Sequence, residues 1–415
     1  MADDRRIRVV FDAHVITPHR SGIGEFNWHL LRALLREFAD RVDLHLYVPS
    51  GIVTVESEMD IARHTRDVRD GDIYRLHHQW RLPRLLRRGR YDLFHSPDFM
   101  FPFLCPIPVV STIYDLIPLV HPEYLARSLK VRLLPVYRFL MRTAVRKSAR
   151  VITISECSRS DIVRMLDADP ANVDIVYAAH TLEPGDTGME DASAGDAAAS
   201  GHASREDAGA RSQAASTDAA AAGTENLPEA QLRPGRYLLY VGRHDPYKGL
   251  GLLLRAMAQA VREGLPDDIQ LAVAGKRDMR YPFAETARDL GLQNRVLFLD
   301  YVSREELSHL YAHAMALVFP SLYEGFGLPL LDAMAHGTPV VSSDRASLPE
   351  VGGDAVHYVD PEQEDAFART LKTVAENPSL RRQLSKKGEM QMRRFSWNET
   401  AGKTVGVYAR AINSQ

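Results

Sequence analysis

At 415 residues the chain is too long for one ordinary hydrophobic core, so two domains are expected. With 45% hydrophobic and 25% charged residues and a net charge of −3, it reads as a globular protein with no global electrostatic pull toward nucleic acid. Only two cysteines occur, Cys105 and Cys157, without a disulfide framework or metal-ligand spacing, which points to a reducing compartment. The N-terminal stretch has no secretory apolar region, and no apolar run reaches the ~18 residues needed to span a bilayer, so a cytoplasmic protein is expected.

In chain order, short apolar runs at 7–11, 43–48, 92–95, 108–113, 151–154 and 173–177 read as strands, and helical periodicity occupies 24–38, 128–147 and 158–166. From 183 to 233 the composition falls to Ala, Ser, Asp, Gly and Thr with almost no large apolar residue. Such a segment cannot bury enough surface to offset its ordering entropy, and a disordered insertion is expected. Beyond it the rhythm resumes, with strands at 237–241, 270–274, 296–299, 316–319 and 339–342 and helices at 250–262, 283–290, 305–314 and 328–336. This alternation predicts an α/β protein with parallel sheets covered on both faces. Two doubly wound, Rossmann-like domains follow, at 1–182 and 234–395, with ligand in the crevice outside the carboxyl ends of their strands. A terminal helix is expected within 396–415, with a return onto the N-terminal domain as one option.

The most informative segment is 320–341, PSLYEGFGLPLLDAMAHGTPVV. Glu324 precedes Gly325, Phe326 and Gly327, and a helix is expected to begin near Leu328. Glycines at a loop-to-helix junction let backbone approach a ligand, and a helix start offers free N–H groups with partial positive charge, which suits phosphate. Glu324 beside it could hold the hydroxyls of an attached sugar, and a nucleotide sugar has both parts. A helix-start acid stabilising the dipole is the plain alternative. Asp332 falls about one turn inside the helix, roughly 6 Å along its axis, where it would face the same crevice or simply be an exposed helical acid.

Residues 240–249, YVGRHDPYKG, follow an apolar strand and precede an amphipathic helix. Arg243 and Lys248 would rise from the carboxyl end of that strand and grip a diphosphate, one as a planar fork and the other as a point charge. Gly22, Ile23 and Gly24 after the first strand suggest phosphate approach or only a tight turn, since no full dinucleotide fingerprint is present. Tyr114 and Asp115, at the end of another strand, could contact donor or acceptor hydroxyls, or form a turn.

Two stretches, 75–90 around Trp80 and 127–150, are basic and amphipathic; the second carries eight Arg or Lys and no acid. They read either as surfaces for an anionic membrane or as packing helices with a solvated face. Asp167-Ala168-Asp169 spells a carboxylate pair used in metal-dependent sugar transfer, but it precedes Pro170 away from the cationic loops, where loop capping is expected. The sixteen histidines show no zinc-ligand spacing, and no metal or cofactor is expected.

Together these residues resemble the retaining glycosyltransferases of family four, which adopt the GT-B architecture. The resemblance runs through the glycine turn at 22–24, TIYDLIPL at 112–119, TISE at 153–156, YVGRHDPYKG, PSLYEGFGLP and FSWNETA at 395–401. It is nearest to bacterial enzymes that build surface polysaccharides, among which mannosyltransferases are prominent. It implies an N-terminal acceptor-side domain and a C-terminal nucleotide-sugar domain. Arg243 and Lys248 would hold the diphosphate, Glu324 the donor sugar, and the amides around Phe326, Gly327 and Leu328 its phosphate.

Two departures stand out. The family usually has a second Glu where this chain has Asp332, shorter by ~1.5 Å, which leaves the ribose contact unmade or routed through water. Family members often place His where Tyr114 stands, and a phenol does not carry a proton near neutral pH as imidazole does. The function expected is metal-independent hexosyl transfer, best read as mannose from GDP-mannose, to a saccharide or lipid-linked saccharide at the inner face of the cytoplasmic membrane, with no nucleic acid partner. Other donors (UDP-, ADP- or dTDP-sugars) and a non-catalytic nucleotide-sugar-binding subunit are the alternatives. A hydrolysing epimerase finds no acid pair for elimination.

Overall fold

The computed structural model describes residues 5–17, 22–48, 68–69, 78–125, 133–184 and 232–413. The expected insertion at 183–233, apart from its first and last two residues, lies outside them, as do Ser21 and positions 75–77 and 127–132 of the basic stretches.

The N-terminal sheet contains β1 (Ile7–Asp12), β2 (Val42–Val48), β3 (Val68–Arg69), β4 (Leu93–Ser96), β5 (Val109–Thr112), β6 (Arg150–Thr153) and β7 (Val173–Ile175), in the order β3-β2-β1-β4-β5-β6-β7. All pairs are parallel; Ile7 lies opposite Val42 and Val9 opposite Leu93. The C-terminal sheet runs β10-β9-β8-β11-β12-β13, with β8 (Tyr237–Val241), β9 (Gln270–Ala274), β10 (Val296–Asp300), β11 (Ala316–Phe319), β12 (Val340–Ser343) and β13 (Val356–Val359), again all parallel. Strands such as β11, with all four residues buried, read as continuous apolar runs because helices cover both faces.

In each sheet the winding direction reverses next to its first strand, between β1 and β4 and between β8 and β11. Crossover connections leave in opposite directions there, so the carboxyl ends of the strands open a crevice. The loops after β8 and β11, residues 242–249 and 320–327, leave the sheet at this point. The site segments therefore meet because of strand order.

The last helix, Trp397–Asn413, crosses back onto the first domain. The indole of Trp397 stacks on His29 at 4.9 Å and donates to the His180 carbonyl at 2.8 Å. Tyr408 sits 2.6 Å from His95 Nδ1, and burial pushes that imidazole down to about 3. β3, β13 and helices Leu348–Gly352, Glu364–Glu376 and Pro378–Met392 have no counterpart among the elements expected from the sequence. The two longer helices carry dense charge around a narrow buried stripe, Phe367, Leu371 and Val374 in one and Leu384 with Gly388 in the other. Cys105 and Cys157 are free thiols.

Candidate active site

Between the two domains lies a cleft of about 540 Å³. Its walls include Gly22, Ile23, Tyr114 and Asp115 from the first domain, and Arg243, Lys248, Glu324, Gly325, Phe326, Gly327, Leu328 and Asp332 from the second. Twelve of the thirteen residues singled out from the sequence thus border one space. Gly24 does not. It is buried in the first turn of the helix Gly22–Glu37, so the expected glycine loop is a helix start instead.

Lys248 ends a short 3₁₀ turn, Pro246–Lys248, and Glu324 sits on the loop after β11. Lys248 Nζ donates to both carboxylate oxygens, at 2.7 and 2.8 Å. Glu324 is 8% exposed, so the pair is largely out of water and its charges are screened weakly. Asp115 lies close enough to feel both: burial raises its carboxyl, the bond from the Ile117 amide at 3.1 Å and the Lys248 charge oppose that, and Glu324 reinforces it. Arg243 is the exposed member, with a 72% exposed side chain 3.2 Å from Asp245.

The loop carrying Glu324 is fixed from behind. The Ser347 hydroxyl lies 2.9 Å from both the Glu324 and the Phe326 carbonyls and donates to them. Gly325 passes so close to the first domain that a Cβ would stand 2.8 Å from the Tyr114 carbonyl oxygen. Ser158 donates to that same carbonyl at 2.8 Å. Gly327 begins the helix Leu328–Ala335 at φ +109°, in the left-handed region that favours glycine. Pro329 has no N–H and Leu330 already donates to Gly327 at 3.0 Å, which concentrates the helix start on the amides around Phe326–Leu328.

Asp332 lines the cleft but its carboxylate is engaged. Oδ1 accepts from the amides of Thr181, at 2.5 Å, and Leu182, at 3.2 Å, and Oδ2 from the Thr181 hydroxyl at 3.1 Å. The expected exposed or ribose-facing acid is instead a tie to the segment leading out of the first domain. Burial pushes its carboxyl up to about 6, partly offset by those three bonds. Tyr114 is likewise engaged: its hydroxyl accepts from Asn27 at 2.5 Å, and burial raises its phenol.

Asp167 and Asp169 lie off the cleft lining. Asp167 pairs with Arg142 at 2.8 Å, and Asp169 accepts from the Ala171 amide at the start of the turn Pro170–Asn172, so the pair caps loops as expected. A second cross-domain clamp has no signal in the sequence. Arg304 donates to Glu25 at 2.7 Å and to the Thr181 carbonyl. Glu350 accepts from the Glu156 amide at 2.8 Å and from the Tyr177 hydroxyl at 2.8 Å. These partners lie 123 to 279 positions apart, a separation that no periodicity reveals. They also mean that the two halves are held by more than the 183–233 connection.

A two-domain GT-B fold whose cleft is bordered by a buried Lys–Glu pair, an Arg and a helix start defines the class. The family model for Glycosyltransferase Family 4 matches residues 5–182, and that for Glycosyl transferases group 1 matches residues 225–391. The chain is 28% identical to O-antigen chain mannosyltransferase B of Escherichia coli over 97% of this chain and 99% of that protein. It is 30% identical to D-inositol 3-phosphate glycosyltransferase of Nocardioides sp. over 78% of this chain and 68% of that one. The crystal structure of Anabaena HepE in complex with UDP and glucose superposes with a TM-score of 0.65 at 17% identity, covering 97% of this chain and 100% of HepE. The chain belongs to glycosyltransferase family four.

Proposed function

We propose that this glycosyltransferase is a retaining, metal-independent hexosyltransferase that moves mannose from GDP-mannose to a lipid-linked saccharide. The observation that carries the reading is the cationic notch: Lys248 paired to Glu324 at 2.7 Å beside Arg243 and the helix start at Leu328. Similarity to an O-antigen chain mannosyltransferase over nearly the full length of both chains supports the choice of sugar and acceptor class. HepE is a structural neighbour crystallised with UDP and glucose, which supports a nucleotide sugar as the donor class.

As the glycosidic bond breaks, negative charge develops on the leaving diphosphate. Arg243, Lys248 and the amides around Phe326–Leu328 would stabilise it, which is electrostatic catalysis. Glu324, oriented by Lys248 and by the Ser347 hydrogen bonds, would accept from hydroxyls of the departing sugar. By analogy with the family, the acceptor hydroxyl attacks from the leaving-group face and a donor phosphate oxygen takes its proton. No pair of flanking carboxylates is then required, unlike a glycosidase. Tyr301, 64% exposed on the cleft rim, offers a stacking face for the base.

A thermal-shift screen against GDP-, UDP-, ADP- and dTDP-sugars tests the donor, since a bound donor raises stability by mass action. The largest shift is expected with GDP-mannose, and radiolabelled mannose should pass from it to extracted lipid acceptors with EDTA present. A larger shift and transfer with another sugar nucleotide would overturn the donor assignment. Loss of transfer in EDTA would overturn metal independence, and binding without transfer or nucleotide release would favour a non-catalytic subunit.

A further inference from the structure

Asp332 is 5% exposed, and its carboxylate accepts from the amides of Thr181 and Leu182 and from the Thr181 hydroxyl. The segment it holds is fixed from other sides as well. Arg304 donates to the Thr181 carbonyl, and the Trp397 indole donates to the His180 carbonyl at 2.8 Å. Side chains from three helices, Arg304–His313, Leu328–Ala335 and Trp397–Asn413, therefore pin consecutive peptide units of one short segment. Thr181, Leu182 and Asp332 all border the cleft, and Asp332 lies about one helical turn from the amides at Phe326–Leu328. A sugar ring joined to a phosphate at those amides falls beside this knot. For one of its hydroxyls to reach the carboxylate, a buried amide would have to give up its acceptor, and an unpaired buried amide is costly.

A vicinal diol is held well by a carboxylate that accepts from both hydroxyls. Among the described residues, the other carboxylates of the cleft are Glu25, Asp115, Asp300 and Glu324. Glu25 faces Arg304 at 2.7 Å and His29 at 3.4 Å. Asp115 lies near enough to Glu324 to feel its charge, and Glu324 is bound by Lys248. Asp300 pairs with Arg277 at 2.6 Å and ends β10, three strands from β11. That separation is about 14 Å, too far for a ring attached to a phosphate at the helix Leu328–Ala335. Leu182 and Leu307 line the cleft too, and Leu307 sits one turn before Tyr311, whose phenol feels the Asp332 charge. The wall beside Asp332 is thus both closed and apolar.

We propose that this glycosyltransferase does not read the ribose hydroxyls of its donor, and that it takes 2′-deoxyribonucleoside diphosphate sugars as well as the ribonucleoside forms. The inference rests on the nucleotide-sugar reading of the cleft and widens its substrate class. Affinity comes from the diphosphate contacts and the base. Asp332 sets the specificity by being occupied: its acceptors hold residues 181 and 182 to the second domain, and the ribose passes an apolar wall that the loss of a hydroxyl leaves undisturbed.

Titration calorimetry of the full-length protein with GDP, UDP and ADP, each beside its 2′-deoxy and 2′,3′-dideoxy counterparts, tests this without presuming the base. For the base that binds best, the three forms are expected to agree within about 3-fold, where a hydroxyl held by a carboxylate would separate them by about 10- to 100-fold. Asp332→Asn tells a tie from a ligand. Its ratio of ribonucleotide to deoxynucleotide affinity should equal that of the parent. A parent ratio above about 10-fold would overturn the proposal and leave the nucleotide-sugar reading standing. A ratio that falls in Asp332→Asn would place this carboxylate on the ribose and also overturn it. Binding of none of these nucleotides would overturn the nucleotide-sugar reading, and the proposal with it.

Discussion

Lys248 Nζ lies between both oxygens of Glu324, 76 positions away, at 2.7 and 2.8 Å. The ammonium expected to hold a donor phosphate is thus also the group that orients the carboxylate expected to hold the donor sugar. One pairing couples the two halves of the proposed nucleotide-sugar site, and it requires β8 and β11 to be neighbours.

Removing one partner leaves the other charge buried and alone, which typically costs about 3–5 kcal/mol. Lys248→Ala and Glu324→Ala should each lower transfer at least ~100-fold, and each should also lower the melting temperature. Lys248→Met with Glu324→Gln removes the charges together and should recover most of the lost stability with none of the activity. Comparing melting curves with initial rates of the three variants checks this. Wild-type turnover in either single variant would refute the assigned roles.

Ser347 bonds the carbonyls of the Glu324 loop from behind and is not among the residues that line the cleft. Replacing it with Ala leaves the buried Glu324 and Phe326 carbonyls without its hydroxyl, a loss of about 1–3 kcal/mol. Ser347→Ala should lower kcat more than it raises donor KM, because the carboxylate is misaimed while the phosphate contacts persist. Ser347→Thr should restore part of both; equal effects on kcat and KM would count against a positioning role.

Gly325 marks where the domains touch. A methyl group there would stand 2.8 Å from the Tyr114 oxygen and 3.1 Å from the Asp115 Cβ, so Gly325→Ala must push the faces apart. The variant should fold, show a larger radius of gyration by small-angle scattering, and hydrolyse donor at a higher ratio to transfer as water enters. An unchanged scattering profile would mean that the contact gives way locally.

Asp332 gives a pH signature. Its carboxyl is pushed up to about 6 in the folded protein against about 3.9 unfolded. The folded form therefore holds the proton more tightly, and the contribution to stability is complete below about pH 4 and is lost as pH rises through about 6. Asp332→Asn can still accept from the Thr181 and Leu182 amides and can donate to the Thr181 hydroxyl. It should flatten this part of the stability profile and melt no lower than the parent at about pH 7. Parallel melting curves of the two proteins across that range would contradict it.

Much of this was written locally. Strands 237–241, 270–274 and 316–319 and the helix 250–262 coincide residue for residue with those expected, since each is an apolar run or stripe whose period reports its own backbone. The glycines around Glu324 and the cations after β8 stood out as candidate cleft residues, because the proposed phosphate site needs those residue types at a strand's carboxyl end, and they do border one cleft. The fate of Asp332 was not legible. Nothing beside it in the chain predicts Thr181 and Leu182, whose amides turn an expected ribose ligand into an interdomain tie. Nor does the first turn of a helix announce that Glu25 will meet Arg304, 279 positions on. Secondary structure follows from patterns within a few residues. Which polar groups meet across a cleft depends on strand order and domain apposition, and those emerge only when the whole chain has packed.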